Sequence, residues 1–285
     1  MGSSSTQRLT VDANALTFHV LAAGPEEGPP VILLHGFPDA AFGWSRQFGP
    51  LAEAGFRVVA PDQRGYGRTT KPDGIRAYTL DRLVGDVIAL ADALGIGRFA
   101  LVGHDWGGVV AWAAAAWRPD RVSRVAILNG PHPKVWLRHV RRSPSQALRS
   151  AYVGFFQAPR LPEALLSAGR YAALRRALVQ GTRPGAFEGG EIERYVEAWS
   201  QPGALTAMLN WYRAGRYPGP QVGRVAAPAL ILWGRQDRYL ESANATGALD
   251  LCDQARLEWF EAGHWLHREE VGAVNAALVP FLRES

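Results

Sequence analysis

Apolar residues along this chain gather in short, nearly unbroken runs, separated by longer stretches in which they recur every three or four positions. Leu16 to Ala22, Val31 to Leu34, Phe56 to Ala60, Phe99 to Val102, Arg124 to Leu128, Ala229 to Trp233 and Arg256 to Phe260 have the character of strands covered on both faces. Helical patterns lie between most of them, among them Leu80 to Leu94 and Val109 to Trp117, and Val271 to Leu282 closes the chain. This alternation predicts an α/β fold, a doubly wound and mostly parallel sheet with helices on both faces. The rhythm fails from about Pro131 to Pro220, where no strand pattern occurs and Pro144, Pro159, Pro184 and Pro202 interrupt successive amphipathic stretches. A helical cap, residues 131–220, is therefore expected between core segments 1–130 and 221–285.

Composition changes this picture little. The chain has 285 residues, 47% of them hydrophobic and 20% charged, which is ordinary for a globular protein. No apolar run approaches a membrane span and Met1 to Gln7 is polar, so a soluble cytoplasmic protein without a signal peptide is expected. The single cysteine, Cys252, excludes an internal disulfide and suits a reducing compartment. Neither metal-ligand spacing nor a phosphate-binding or dinucleotide loop is present, so neither metal nor cofactor is expected. The net charge of +5 is uneven: Pro131 to Pro220 holds thirteen Lys/Arg against five Asp/Glu, including Arg138, Arg141, Arg142 and Arg149. No nucleic-acid motif accompanies these arginines, so they read as solvated helix faces, with no nucleic-acid or membrane partner, in a monomer or homodimer. Steering of an anionic substrate is the other consequence of such a field.

The chemistry centres on Leu101-Val102-Gly103-His104-Asp105-Trp106-Gly107-Gly108, which joins a buried strand to an apolar helix. Gly103 and Gly107 bracket a sharp turn, a nucleophile elbow with Asp105 at its tip. Small neighbours are needed there because the tip residue is strained and a Cβ beside it would crowd the turn. The helix N-terminus favours an anion, and an aspartate is ionised near neutrality, so it attacks without a base. Alone, such a turn reads equally well as a helix-capping aspartate. Two further loops decide the matter. Gly234-Arg235-Gln236-Asp237 and Glu261-Ala262-Gly263-His264-Trp265 follow successive strands and fall at the same carboxyl edge of the sheet. The order Asp105, Asp237, His264 is that of nucleophile, orienting acid and general base. Asn129 carries no charge and cannot be the acid; His104, His132, His139 and His267 are weaker alternatives to His264. After the strand Val31 to Leu34, His35-Gly36-Phe37-Pro38 would aim the Phe37 N–H at the spot faced by the Trp106 N–H, a two-donor oxyanion hole, with His35 structural.

With these residues placed, the chain resembles the α/β-hydrolases and specifically the soluble and microbial epoxide hydrolases. The resemblance is carried by His35-Gly36-Phe37-Pro38, Asp62-Gln63-Arg64-Gly65-Tyr66-Gly67-Arg68, Gly103-His104-Asp105-Trp106-Gly107-Gly108 and Gly263-His264-Trp265. The second of these reads as a structural loop. In that family two cap tyrosines hydrogen-bond the epoxide oxygen while the carboxylate attacks carbon from the opposite side. Asn210-Trp211-Tyr212-Arg213 is similar to one tyrosine motif, and Ala151-Tyr152-Val153-Gly154-Phe155-Phe156-Gln157 to the segment around the other. Tyr212 shares a helical face with Leu205, Met208 and Leu209, and Tyr152 lines up with Leu148 and Phe155/Phe156, patterns that packing aromatics also show. Tyr171, Tyr195 and Tyr217 are reserves.

The resemblance implies that Asp105 opens a small apolar epoxide with Tyr152 and Tyr212 polarising its oxygen. Water activated by His264 and Asp237 would then hydrolyse the ester to a vicinal diol, without a cofactor. A haloalkane dehalogenase would use the same three residues with Trp106 as halide donor. Phe37 stands where many of those enzymes carry asparagine, so a second donor would have to be Trp136, Trp199 or Trp211. Fluoroacetate dehalogenases carry arginines where Trp106 and Val109 stand, and a serine-type hydrolase lacks its nucleophile. A non-catalytic ligand-binding protein of this fold is the remaining alternative, opposed by the intact catalytic set.

Overall fold

In the central strands successive side chains point to opposite faces, so an unbroken apolar run feeds two cores at once. Val31 and Leu33 pack on one face with Ala100, Val102, Leu230 and Leu232. Ile32 and Leu34 pack on the other with Phe99, Leu101, Ile231 and Trp233. A computed structural model describes residues 6–284 of the chain; Met1 to Ser5, part of the polar N-terminal reach considered above, lie outside them. The strands are β1 (Gln7–Ala13), β2 (Leu16–Ala23), β3 (Pro30–Leu34), β4 (Arg57–Pro61), β5 (Phe99–His104), β6 (Val122–Leu128), β7 (Ala229–Gly234) and β8 (Ala255–Phe260). They form one sheet in the order β1-β2-β4-β3-β5-β6-β7-β8. Only β2 runs antiparallel to its neighbours, and every pair from β4 to β8 is parallel.

The chain order reverses between β3 and β5, which are hydrogen-bonded neighbours although β4 separates them in sequence. Such a switch point opens a crevice at the carboxyl ends of the strands. Both Phe37 and Asp105 follow strands that end there. Helices Leu80–Ala93 and Trp106–Trp117 cover one face, and Ser45–Glu53 and Val271–Arg283 cover the other.

β1 was not expected from the apolar runs. It is an edge strand whose residues alternate between exposed and half-buried, so it never presents an apolar run. It joins β2 through a two-residue turn between the paired Ala13 and Leu16, with Asn14 at φ 49° and Ala15 at φ 57°. Both values are those of a type I′ hairpin, the form whose twist matches the strands.

Between β6 and β7 the described residues contain helices and no strand: Pro133–Val140, Pro144–Arg149, Ala151–Phe155, Leu161–Gln180, which is broken by non-helical backbone from Ala168 to Tyr171, Glu191–Trp199 and Ala204–Ala214. Proline punctuates them as its chemistry requires, since it cannot donate to the preceding turn but suits the first turn of the next helix. Pro133 and Pro144 begin helices, with the side chains of His132 and Ser143 accepting from the N–H groups of Lys134 and Gln146. Tyr212, Trp211, Leu209 and Met208 of the last of these helices pack into the same core as Ile32 and Leu34. No described helix is long and apolar enough to cross a membrane.

Ala15 is exposed and pays for its left-handed backbone without any contact that requires its methyl group. Ala15→Gly should raise unfolding stability by about 0.5–1 kcal/mol, the relief of strain slightly exceeding the added freedom of the unfolded chain. A urea titration of the two proteins checks this, and an unchanged or lower midpoint for the glycine variant would contradict it.

Candidate active site

Asp105 sits between β5 and helix Trp106–Trp117 with φ 51° and ψ −120°, a conformation costly for any residue with a side chain. The turn closes only because its neighbours are small. A Cβ on Gly103 would come within 2.3 Å of the Gly107 carbonyl oxygen, and one on Gly107 within 2.1 Å of the Leu34 oxygen. Across the crevice, a Cβ on Gly36 would meet the Asp105 carboxylate at 2.3 Å. The loop after β3 therefore lies directly against the Asp105 side chain, and the Phe37 N–H donates to its Oδ1 at 2.8 Å. Trp106 is the first residue of the helix, where an N–H has no acceptor within the helix.

The other carboxylate oxygen faces the histidine. Asp105 Oδ2 is 3.5 Å from His264 Nε2, and His264 Nδ1 is 2.7 Å from Asp237 Oδ2. Asp237 is fixed in turn, because its Oδ1 accepts from the N–H groups of Tyr239 at 2.7 Å and Leu240 at 3.0 Å. Asn129 donates through Nδ2 to Asp237 Oδ2, while its own Oδ1 accepts from the Gly234 N–H at 2.8 Å. Asn129, set aside in the sequence as an uncharged residue, fixes the Asp237 carboxylate through its amide; its position at the end of β6, beside the β7 loop, was the only sequence signal for that.

These contacts set the ionisation states. Burial alone would push the Asp105 carboxyl up, but the hydrogen bond and charge of His264, with the Phe37 N–H, hold it below its ordinary value. Burial would push His264 down; the charge of Asp237 and the hydrogen bonds that the ring donates to both carboxylates outweigh it and raise its pKa to about 10. The resting arrangement is an imidazolium between two carboxylates.

The remaining histidines stand apart from this chemistry. His104 Nε2 bonds the His264 carbonyl oxygen at 2.8 Å, and burial together with the charge of His264 depresses its pKa to about 3, so it supports the histidine loop as a neutral ring. His132 and His139 are engaged at Gly223 and Glu241. His35 Nε2 accepts from the Gln63 N–H at 3.1 Å, fastening the Asp62–Arg68 loop to the strand end, where Arg64 forms a buried pair with Asp86. Asp39, His104 and His267 place potential metal-ligating atoms within 4.8 Å of one another, but none of them lines the cavity at Asp105.

That cavity has a volume of about 580 Å³ and is lined from both the strand ends and the helices between β6 and β7, with Asp105, Trp106, Val109, Trp136, Tyr152 and Tyr212 among its lining. Tyr212 is buried, its ring edge-on to Phe37 at 5.3 Å, Trp106 at 5.2 Å and Phe156 at 5.0 Å. Tyr152 is half-buried with its ring centre 5.8 Å from that of Tyr212. Burial, and then the neighbouring charge of Asp105 among others, pushes both phenols above their ordinary range, so both are protonated donors near neutrality. Of the reserves, the Tyr171 hydroxyl donates to the Trp199 carbonyl, that of Tyr195 to Asp39, and Tyr217 lies under Arg76.

Asp105→Asn removes one of the two charges that hold the proton on His264. Its pKa should fall from about 10 toward the ordinary value near 6.5, which a histidine NMR titration reads directly. The linkage has a definite sign. A raised histidine pKa contributes stability fully below about pH 6.5 and loses it as pH rises through about 10, so the wild-type protein should lose more stability over that window than the asparagine variant. A His264 titration unaffected by the substitution would contradict the charge arrangement.

Residues 29–271 match the family model described as alpha/beta hydrolase fold. The chain is similar to the AB hydrolase superfamily protein YfhM of Bacillus subtilis, 42% identical over 276 residues that make up 96% of each protein. It is also similar to epoxide hydrolase A of Mycobacterium tuberculosis, 34% identical with 97% of each covered. A solved structure of an epoxide hydrolase from metagenomes of hot environments superposes with a TM-score of 0.88 at 34% identity, covering 99% of this chain and all of that one. The chain belongs to the α/β-hydrolase fold family, in the epoxide-hydrolase-like branch of these relatives.

Proposed function

We propose that this protein hydrolyses epoxides to vicinal diols through an ester on Asp105, with residues 131–220 serving as the cap over a core made of residues 1–130 and 221–285. The observation that carries this reading is the cavity Asp105 shares with the phenols of Tyr152 and Tyr212. A carboxylate on one side and two acids on the other are what opening a strained C–O bond requires. In the first half-reaction Asp105 Oδ2 attacks a ring carbon, the C–O bond breaks, and a proton from the tyrosines neutralises the departing oxygen. His264 then returns a proton to the tyrosinate, and in the second half-reaction the neutral imidazole, oriented by Asp237, takes a proton from water that attacks the ester carbonyl carbon. The oxyanion forms on Oδ1, the atom already facing the Phe37 N–H, with the Trp106 N–H as second donor. Collapse breaks the ester C–O bond, and the leaving alkoxide takes the proton of the added hydroxyl, which frees the diol, restores the Asp105 carboxylate and leaves His264 protonated as at rest. No metal or cofactor enters these steps.

Halide chemistry finds less support. The indole N–H groups of Trp199 and Trp211 already donate to the carbonyls of Pro38 and Arg64, which leaves Trp136 as the cap indole on the cavity. Retained binding without turnover would be unchanged by Asp105→Ala.

A single turnover of styrene oxide in ¹⁸O-water, followed by mass spectrometry, tests the reading. The first diol should be unlabelled, with the label appearing in the Asp105 peptide and reaching diol only in later turnovers. Label in the first diol would rule out the ester. His264→Gln should accumulate the Asp105 ester, and Tyr212→Phe should slow its formation by about 10²–10⁴-fold while leaving its hydrolysis near the wild-type rate. Halide release from a bromoalkane with no diol from epoxides would move the protein to the dehalogenase reaction.

A further inference from the structure

Beyond the reaction itself, the outer face of the cap carries two features that coincide. Every large apolar side chain that is exposed among the described residues lies in one helical insertion, and five of the six lie between residues 137 and 165: Leu137, Leu148, Phe155, Leu161 and Leu165. Leu148 projects furthest, at 78% exposure. Folded chains rarely concentrate exposed apolar groups in this way without a partner. The stretch up to Pro162 is also basic, and Glu163, the first acid after it, is paired with Arg213. Residues 131–162 contain six Lys/Arg and no Asp or Glu. Lys134, Arg138, Arg141, Arg142 and Arg160 are exposed, and none forms an ion pair among the described residues.

The elements that hold these groups are short and consecutive. Pro133–Val140, Pro144–Arg149 and Ala151–Phe155 have eight, six and five residues, so none exceeds about 12 Å in length and the exposed side chains follow one another along a short, tightly folded reach of chain. That surface is continuous with the cavity, because Leu137 and Gly154 are exposed and also line it, beside Val153 and Gln157.

We propose that this face of the cap docks on anionic lipid bilayers, with Leu148, Phe155 and Leu161 entering the acyl boundary and the arginines against the headgroups. Apolar insertion and attraction to anionic lipid add, and this surface supplies both. Other occupants satisfy only one half of it. A nucleic acid would pair the arginines but set the leucines against phosphate. A second copy of this chain, meeting it about a two-fold axis, would set cations against cations. Charge alone carries the expectation that the arginines cover solvated faces with no membrane partner, and this proposal departs from it on the exposure of the apolar side chains. A bilayer also concentrates apolar small molecules at the mouth of the cavity, whatever reaction follows inside.

Sedimentation with large unilamellar vesicles tests this without reference to turnover. The wild-type protein should pellet with phosphatidylcholine vesicles containing about 30% phosphatidylglycerol and stay in solution with phosphatidylcholine alone. Raising salt from about 0.05 M to about 0.5 M should release it. Arg138→Glu with Arg141→Glu and Arg142→Glu should weaken vesicle affinity by about tenfold or more, as should Leu148→Ser with Phe155→Ser, while epoxide turnover in solution stays the same. Failure of the wild-type protein to pellet with the anionic vesicles at low salt would overturn the proposal. So would pelleting that neither set of substitutions reduces. Binding of a DNA duplex that survives loss of Leu148 and Phe155, with no vesicle binding, would assign the face to nucleic acid, and a dimer abolished by Leu148→Ser without vesicles would assign it to self-association.

Discussion

An ionised carboxylate taken out of water costs several kcal/mol unless donors or a counter-charge replace its solvation. The centre of this molecule holds two carboxylates around one imidazole: the side chain of Asp237 is 1% exposed, that of His264 3% and that of Asp105 15%. Every group that approaches them offsets this cost. The donors come from the ends of different strands: Phe37 after β3, Asn129 after β6, Tyr239 and Leu240 after β7. Their convergence depends on the parallel register, which pairs His104 with Leu128, Leu128 with Leu232, and Gly234 with Phe260. A slip of one residue in any of these pairs would turn every side chain of the strand to the other face and carry its terminal loop out of reach. Chemistry and sheet register are therefore one constraint.

The cap is bound into that constraint from behind. Tyr195 donates to Asp39 at 2.7 Å and Trp199 to the Pro38 carbonyl at 2.6 Å, so the helix Glu191–Trp199 grips the loop whose Phe37 N–H faces Asp105. Arg268, four residues beyond His264, is buried and spans Gly43, Ala186 and Glu191. A buried guanidinium with its donors filled in this way fixes three segments relative to one another. The front of the cap, by contrast, lines the cavity and shows its leucines to solvent. One half holds the site in place and the other meets whatever arrives.

The sequence was most legible where sterics leave one answer. The elbow could be read because strand, small residues and helix follow each other in a space where a Cβ would sit 2.1–2.3 Å from a carbonyl oxygen. The strands from β3 to β7 could be read because burial on both faces demands an apolar run, whereas β8 is an edge strand whose Arg256 and Glu258 are exposed, so the expected two-sided cover is absent there. The edge strand β1 has no such demand and left only a weak alternation of Leu9, Val11 and Ala13. Asn129 and Arg268 were invisible for another reason: their roles lie in hydrogen bonds between segments distant in sequence, and residue type alone does not say where a donor points. Tyr212 and Tyr152 stood between the two cases, since a tyrosine on an apolar face packs in the same way whether or not its hydroxyl meets a reactive group. The exposed leucines of the cap show the converse, because helical periodicity marks an apolar face without saying what covers it.

Charge ties the two halves of the proposed reaction together. At rest, Asp105 and Asp237 hold a proton on His264 that burial alone would remove. An imidazolium cannot act as a base, so under the proposed reaction the resting site is set for attack by Asp105 and not for activation of water. Esterification erases the Asp105 charge, and with it one of the two interactions that keep the imidazole protonated. The histidine then becomes a base when an ester exists for its water to attack, and the proton it gives up balances the one the tyrosines transfer to the ring oxygen. As water adds, negative charge reappears beside the Phe37 N–H, which already bonds Oδ1 at 2.8 Å in the resting carboxylate and needs no rearrangement to receive it. A serine at the elbow would lack this coupling, because its neutral hydroxyl cannot hold the proton on His264. An aspartate nucleophile switches its own base on by being consumed, and the price of burying a second carboxylate is what makes that switch available.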